Sequence, residues 1–382
     1  MSEGRLLFAQ ISDVHVTSNV GGVPPEQVER NVLEAARDLS SLPERAEFVL
    51  ATGDLVVSGA REELRRYLEL AAHFPCPVHN LPGSHDRWRG PEPWEELLGP
   101  RFYAFDVGGT KFICLDANKP LEEGKWLAAI EGEQLEWLKR ELDRAKVEGK
   151  GAIVALHPPP RRMGGEYLDQ WRGSNADEFL SVLREAKVLA LLTGHWHRTW
   201  EWTEGGVRVV NTGALCGWQW NGFPPFYGFP TRPGYRLFWL DSEELRTFWR
   251  DLYCPVQVSL VKLGEANFMG PRPQARRPVL RGRARLLAQA FGMRAEAVEA
   301  LLQVDEGPWR PMEPTWRGLW TDFEATLDAA EIPEGEHVLT VKAIFDDGSE
   351  AFDHAPLLVS HAPSGESVEE GPELLFAPFV GP

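Results

Sequence analysis

Short runs of Val, Ile, Leu, Ala and Phe recur through the first two thirds of the chain, and between them lie longer stretches whose apolar residues return every three or four positions. The short runs, residues 5–11, 47–51, 151–156 and 191–193, are too continuously apolar to alternate, so they read as strands buried on both faces. The longer stretches read as helices. One opens at Pro24-Pro25 with the stripe Val28, Val32, Ala36 and Leu39; others carry Leu64, Leu68 and Ala71, then Leu135, Leu138 and Leu142, then Phe179, Val182 and Ala186. Strand and helix in alternation predict a layered α/β domain that presents ligands at its strand ends. After residue 190 the helices stop. Residues 201–211 read as a hairpin turning at Gly205-Gly206, and 234–251 as two strands around Ser242-Glu243. The Gly-, Pro- and aromatic-rich segment 217–233 reads as a structured loop over the site.

From about Pro255 the pattern becomes a series of short strand-like runs separated by turns such as Asp347-Gly348, which predicts a small all-β sandwich. Strand alternation is poor over residues 295–302, where a helix is expected to replace part of a strand. Residues 363–382 are rich in Glu, Pro, Ser and Gly with no Lys or Arg and read as an acidic tail. The expected organisation is therefore 1–254, an α/β domain; 255–362, a β-sandwich; and 363–382, a tail.

A chain of 382 residues is long enough for two cores. Its net charge of −17 argues against unspecific nucleic-acid binding, which rests on many Lys and Arg contacts to phosphate. A phosphorylated partner would have to be held locally, and metal ions can do that. No window approaches the roughly 18 apolar residues of a spanning helix, and no basic segment followed by an apolar run opens the chain, so no membrane partner and a cytoplasmic location are expected. Cys76, Cys114, Cys216 and Cys254 lie far apart, which signals neither a disulfide framework nor a thiolate zinc site.

The candidate chemistry sits where the apolar runs stop. They lead into Asp13-Val14-His15, Gly53-Asp54, His157-Pro158-Pro159 and Gly194-His195-Trp196-His197, and a further tight loop reads Gly83-Ser84-His85-Asp86. Taken singly, each Asp or His is an ordinary turn or core residue. Delivered together by strand ends, this mixture of carboxylate oxygen and imidazole nitrogen suits a hard or borderline divalent cation such as manganese, iron or zinc. Trp196, Trp200, Trp202, Trp218 and Trp220, with residues 223–229, offer either a stacking wall for a flat leaving group or plain apolar burial, which is the favoured reading. Arg161 and Arg162 could contact phosphate or form a solvated pair. Seven arginines between Arg272 and Arg294 read as a solvated sheet face rather than a polyanion patch.

These five ordered blocks closely resemble the motif series of the calcineurin-like metallophosphoesterases over residues 5 to 250, and within them the cyclic-nucleotide phosphodiesterase branch. The resemblance implies an α/β/β/α sandwich with two divalent metal ions: one held by Asp13, His15 and His197, the other by His157 and His195, with Asp54 bridging. It implies a phosphohydrolase that cleaves a small phosphodiester or phosphomonoester through a metal-bound hydroxide, with His85 assisting the leaving oxygen. Two positions depart from the family pattern. Ser84 stands where the family has a metal-ligating Asn, so the occupancy of the second site is open, and Ser84 is read either as a ligand or as a turn hydroxyl. Val57 stands where the family commonly has Asp, which leaves Asp86 or a backbone carbonyl to orient His85. The alternatives are a catalytically weakened scaffold of the same fold, or a nuclease. The C-terminal sandwich resembles an immunoglobulin-like domain that packs on the enzyme or mediates a homo-oligomer.

Overall fold

Residues 5–17, 23–120, 126–161, 171, 174–217, 232–264, 266–268 and 278–362 are described by a computed structural model. Arg162, Trp218, Trp220, residues 223–229, Arg272, Arg276, Arg277 and the segment 363–382 lie outside the described residues. The chain divides into two compact units, Met1–Cys254 and Pro255–Pro382.

The first unit runs β1 (Arg5–Ile11), α1 (Pro25–Ser41), β2 (Val49–Thr52), α2 (Arg61–Ala71), β3 (Val78–Leu81), α3 (Glu92–Leu97), β4 (Tyr103–Val107) and β5 (Thr110–Cys114). It continues through the small β6 (Asn118–Pro120) and β7 (Trp126–Ala128) pair, α4 (Gly132–Val147), β8 (Gly151–Ala155), α5 (Ala176–Glu185), β9 (Ala190–Thr193), β10 (Trp200–Glu204), β11 (Val207–Asn211), β12 (Gly234–Asp241) and β13 (Glu244–Asp251). Two sheets result, with orders β13-β12-β1-β2-β3 and β10-β11-β9-β8-β5-β4. The continuous apolar runs are explained by burial on both faces. Between the sheets Phe8, Phe48 and Leu50 meet Phe112, Ile153, Leu192 and Val210. Outside the second sheet Leu135, Leu138, Phe179 and Leu183 of α4 and α5 cover Ile113, Val154 and Leu191. On the first sheet's side α1 buries Val28, Val32, Ala36 and Leu39, and its Asp38 accepts a hydrogen bond from Tyr235 of β12 at 2.9 Å. The layering is α/β/β/α.

Parallel pairs β1–β2–β3 in one sheet and β5–β8–β9–β11 in the other bring their C-terminal ends to the same edge of the sandwich. The helices expected from the periodicity all form, as do both late hairpins. Helix α3 and the β6–β7 pair were not anticipated, being too short to show a period.

The second unit contains β14 (Val256–Leu263), β15 (Ala266–Asn267), β16 (Val279–Leu280), β17 (Arg283–Gly292), β18 (Ala297–Val304), β19 (Arg310–Arg317), β20 (Thr321–Asp328), β21 (Gly335–Phe345) and β22 (Glu350–Val359). Strand β19 pairs with β18 through its first half and with β20 through its second, so it passes from one layer to the other around a single core that includes Leu260, Leu286, Phe323, Val341 and Leu357. The helix expected within residues 295–302 is not there. That stretch enters β18, and a register shift between Ala297 and Glu299 disturbs the alternation that would have revealed a strand. Arg283 and Arg285 face cross-strand Asp328 and Glu324 at 2.7 and 3.3 Å, an ion-paired, solvent-facing surface. Among the described residues no helix is long and apolar enough to cross a membrane.

Phe8 lies fully buried and stacks between Phe48 and Phe238, with centroids 5.0 and 4.6 Å away. Replacing it removes the side chain that fills the space between the sheets. Phe8→Ala is expected to destabilise the first unit by about 3–5 kcal/mol in denaturant unfolding. A loss well under 1 kcal/mol would contradict this account of the core.

Candidate metal centre

Loops leaving β1, β2, β3, β8 and β9 supply every residue of the site. Asp13, His15, Asp54, His195 and His197 all adopt left-handed backbone, with φ of 51°, 49°, 51°, 73° and 52°. Such conformations cost about 1–3 kcal/mol each and persist only where the surroundings impose them, although Asp and His tolerate them better than most residues. Backbone hydrogen bonds impose them here: Asp13 N–H donates to Gly53 O, His15 N–H to Asp54 O and Gly194 N–H to His157 O. The glycines explain the close approach. A Cβ on Gly194 would collide with Ser12 Oγ, and one on Gly83 with Asp54 Oδ1.

The polar atoms are wired so that one atom of each key side chain is anchored and another faces its neighbours across the site. Asp13 Oδ2 accepts from Ser12 Oγ at 2.6 Å and from the His195 N–H at 3.0 Å. Its Oδ1 is buried with no hydrogen-bond partner and lies 3.2 Å from His197 Nε2. Asp54 Oδ1 accepts from the His85 N–H at 2.9 Å. His157 Nδ1 lies 2.7 Å from Thr52 O, and because a carbonyl only accepts, Nδ1 carries the proton. Nε2 is the ring nitrogen that faces the cluster, 2.9 Å from Asp54 Oδ2 and 3.8 Å from Asp13 Oδ1. His15 Nε2 and His197 Nε2 face each other at 3.2 Å.

Among the described residues three overlapping groups follow, each with ligand atoms mutually within 4.8 Å: Asp13, His15 and His197; Asp54, His157 and His195; and His15, Asp54 and His85. The residues fit divalent cations. Asp13 Oδ1 and His157 Nε2, both buried and 3.8 Å apart with no well-aligned hydrogen bond, face the same small volume, and a cation there would satisfy both once it displaced the imidazole proton.

Electrostatics agree. Burial alone would raise Asp13 and Asp54, but the imidazoles of His197 beside the first and His157 beside the second hold both carboxyls below the usual range. Desolvation drives His15 down to about 3, and desolvation together with the His157 charge drives His195 down to about 4, so both present neutral nitrogens. His157 moves the other way: burial disfavours its charge, yet the Asp54 and Asp13 carboxylates outweigh burial and push it up to about 9. Two buried carboxylates thus call for positive charge at this spot.

Ser84 precedes His85 on the same loop, and its side chain makes no capping hydrogen bond to the turn that follows. Where the family pattern would place Asp, the backbone carbonyl of Val57 accepts from His85 Nδ1 at 2.7 Å. Asp86 does not orient His85. Its Oδ1 accepts from Leu55 and Val56 N–H and its Oδ2 from Gly83 N–H, at 2.8, 3.0 and 2.8 Å, which ties the Asp54 loop to the His85 loop. Burial and Asp54 push the Asp86 carboxyl up to about 8, against three N–H donors that favour its ionised form.

A polar bridge beneath the site had no signal in the sequence. Gln10 Nε2 donates to Thr52 Oγ1 and to Thr193 O, and its Oε1 accepts from Thr212 Oγ1, which joins the two sheets under the loops. Arg161 pairs with Asp177 and Glu204. Trp200 is buried, and Trp196 and Trp202 pack partly buried on the core beneath α4 and α5, in keeping with plain apolar burial.

Known proteins resemble this chain over the same region. The 3′,5′-cyclic adenosine monophosphate phosphodiesterase of Pseudomonas aeruginosa is 26% identical over 255 residues, covering 64% of this chain and 90% of that protein. The enzyme of the same name from Escherichia coli K12 is 30% identical over 225 residues, covering 56% and 78%. A probable glycerophosphodiester phosphodiesterase of Arcobacter nitrofigilis is 26% identical over 203 residues, covering 50% and 72%. With residues 6–199 matching the family's sequence model, and its motifs gathered at one edge of an α/β/β/α sandwich, the chain belongs to the calcineurin-like phosphoesterases.

Proposed function

We propose that the chain hydrolyses small phosphodiesters at a dinuclear centre in which Asp13, His15 and His197 hold one divalent cation, His157 and His195 hold the other, and Asp54 lies between them. Family membership makes the chain a metal-dependent phosphoric ester hydrolase. The observation that supports the dinuclear assignment is that the buried ligand atoms fall into two adjoining groups, Asp13, His15 and His197 and then Asp54, His157 and His195, with Asp13 Oδ1 in one and His157 Nε2 in the other lacking a well-aligned hydrogen bond. Phosphodiesters rather than monoesters are favoured because the relatives described above carry phosphodiesterase names. Manganese, iron and zinc all suit this N/O donor set.

Bound there, the cations would polarise the phosphoryl oxygens and lower the pKa of an attacking water. The protein's own part is orientation and proton handling. Anchored oxygens on Asp13 and Asp54 fix the carboxylates, and the Thr52 carbonyl fixes the tautomer of His157. His85 is held through Nδ1 by Val57 O, which turns Nε2 away from that carbonyl, where it can deliver a proton to the departing oxygen. Ser84 offers a hydroxyl where an amide oxygen would be a better donor, so the His157–His195 cation would be the more weakly held. Chemistry is assigned to residues 1–254. Each candidate cation group among the described residues lies there, and the β-sandwich of 255–362 would serve assembly rather than the reaction.

Chelation with EDTA should abolish hydrolysis of bis(p-nitrophenyl) phosphate, and manganese or zinc should restore it. Wild-type protein inactive on this ester and on p-nitrophenyl phosphate under every metal would refute the proposal. His85→Ala should lower kcat by about 10²-fold or more with metal content unchanged; a simultaneous loss of metal would make His85 a ligand instead. Ser84→Asn should tighten the weaker cation by roughly tenfold in metal titrations followed by calorimetry. Unchanged affinity there would show that position 84 does not face the second cation.

A further inference from the structure

Large apolar side chains left in water are few among the described residues of the first unit, and one of them stands beside the site. Trp88 is 59% exposed, and its ring centroid lies 5.6 Å from that of His85 at an interplanar angle of 50°. His85 in turn meets buried His15 edge to face at 4.9 Å. His85 thus contacts a buried ring of the ligand cluster on one side and the exposed indole on another.

The turn that carries Trp88 is anchored without help from the indole. Trp88 N–H donates to His85 O. The neighbouring Arg87 is buried and paired with Asp116, which also accepts from Arg101 at 2.8 Å. Asp86 accepts the three backbone N–H groups already described. Trp94, Trp171, Trp200 and Trp320 are buried, as large aromatic area usually is. Trp88 is held outward on a fixed turn, where it gains little from burial and is pre-organised to contact something else.

We propose that Trp88 is the stacking platform for the leaving group, a specificity residue that favours phosphoesters of flat aromatic or nucleoside alcohols over those of simple alkyl alcohols. This rests on the reading of His85 as the group that serves the departing oxygen. A leaving group attached to that oxygen has to extend past His85 away from the buried ligands, and the exposed indole, its centroid 5.6 Å from the His85 ring, is within its reach. Stacking on an indole face needs only a π-system, so it discriminates aromatic from alkyl without choosing among bases.

The test separates binding from turnover by using phenylphosphonate and methylphosphonate, which share a phosphonate head and are not hydrolysed. Calorimetry on the manganese-loaded full chain should show phenylphosphonate bound roughly tenfold tighter, a preference that falls to near unity in Trp88→Ala and survives in Trp88→Phe. In parallel, Trp88→Ala should raise KM for bis(p-nitrophenyl) phosphate by about tenfold and leave KM for glycerophosphoethanolamine, an alkyl diester, unchanged. A phenyl preference that persists in Trp88→Ala, or equal losses on the aryl and alkyl diesters, would overturn the proposal. A chain that binds the phosphonates with the expected preference yet hydrolyses neither diester would instead retain the platform and sink the hydrolase reading.

Discussion

Two carboxylates and four imidazoles cannot be buried within a few ångströms of one another unless something supplies positive charge, and the rest of the first unit is arranged around that demand. Within the protein alone the demand is met poorly. His157 is pushed towards its charged form by Asp54 and Asp13, while His15 and His195 are pushed away from theirs by desolvation. Asp13 Oδ1, His157 Nε2 and His197 Nδ1 are among the buried polar atoms of the site that lack a well-aligned hydrogen bond among the described residues. Leaving such groups unmet costs about 1–3 kcal/mol apiece, so a fold that keeps them has a cation as their partner.

Everything beneath the cluster serves to hold it in that costly arrangement. The parallel strands end at one edge, five ligand-type residues take left-handed backbone, and glycines at positions 83 and 194 let loops from different strands touch. Asp86 laces two of those loops together, and Gln10 fastens one sheet to the other directly below. They convert six separate side chains into one pocket, which is how a strained site on loops keeps its geometry.

Much of this was legible in the chain. Continuous apolar runs ending in Asp-x-His, Gly-Asp and Gly-His-x-His announce buried strands whose ends carry ligands, because both faces of a sandwich strand are covered and only its end is free for chemistry. The helices were legible for the same reason, since each buries one stripe against a sheet. What stayed hidden depended on partners distant in sequence. Gln10 looks like any strand residue until Thr52, Thr193 and Thr212 surround it. The role of Asp86 as a tie between loops, and of the Val57 carbonyl as the partner of His85, lies in backbone atoms that a sequence does not display. Strand β18 was misread as partly helical because a single register shift broke its alternation. Trp88 was passed over among fifteen tryptophans, since exposure and not identity sets it apart.

The account stands on cations at this one edge of the sandwich, and anomalous scattering from crystals grown with manganese or zinc reads their positions directly. Two peaks are predicted, one within coordinating distance of Asp13, His15 and His197 and a weaker one beside His157 and His195, with Asp54 between them. Peaks located elsewhere on the molecule, or none at this cluster in metal-saturated crystals, would contradict it.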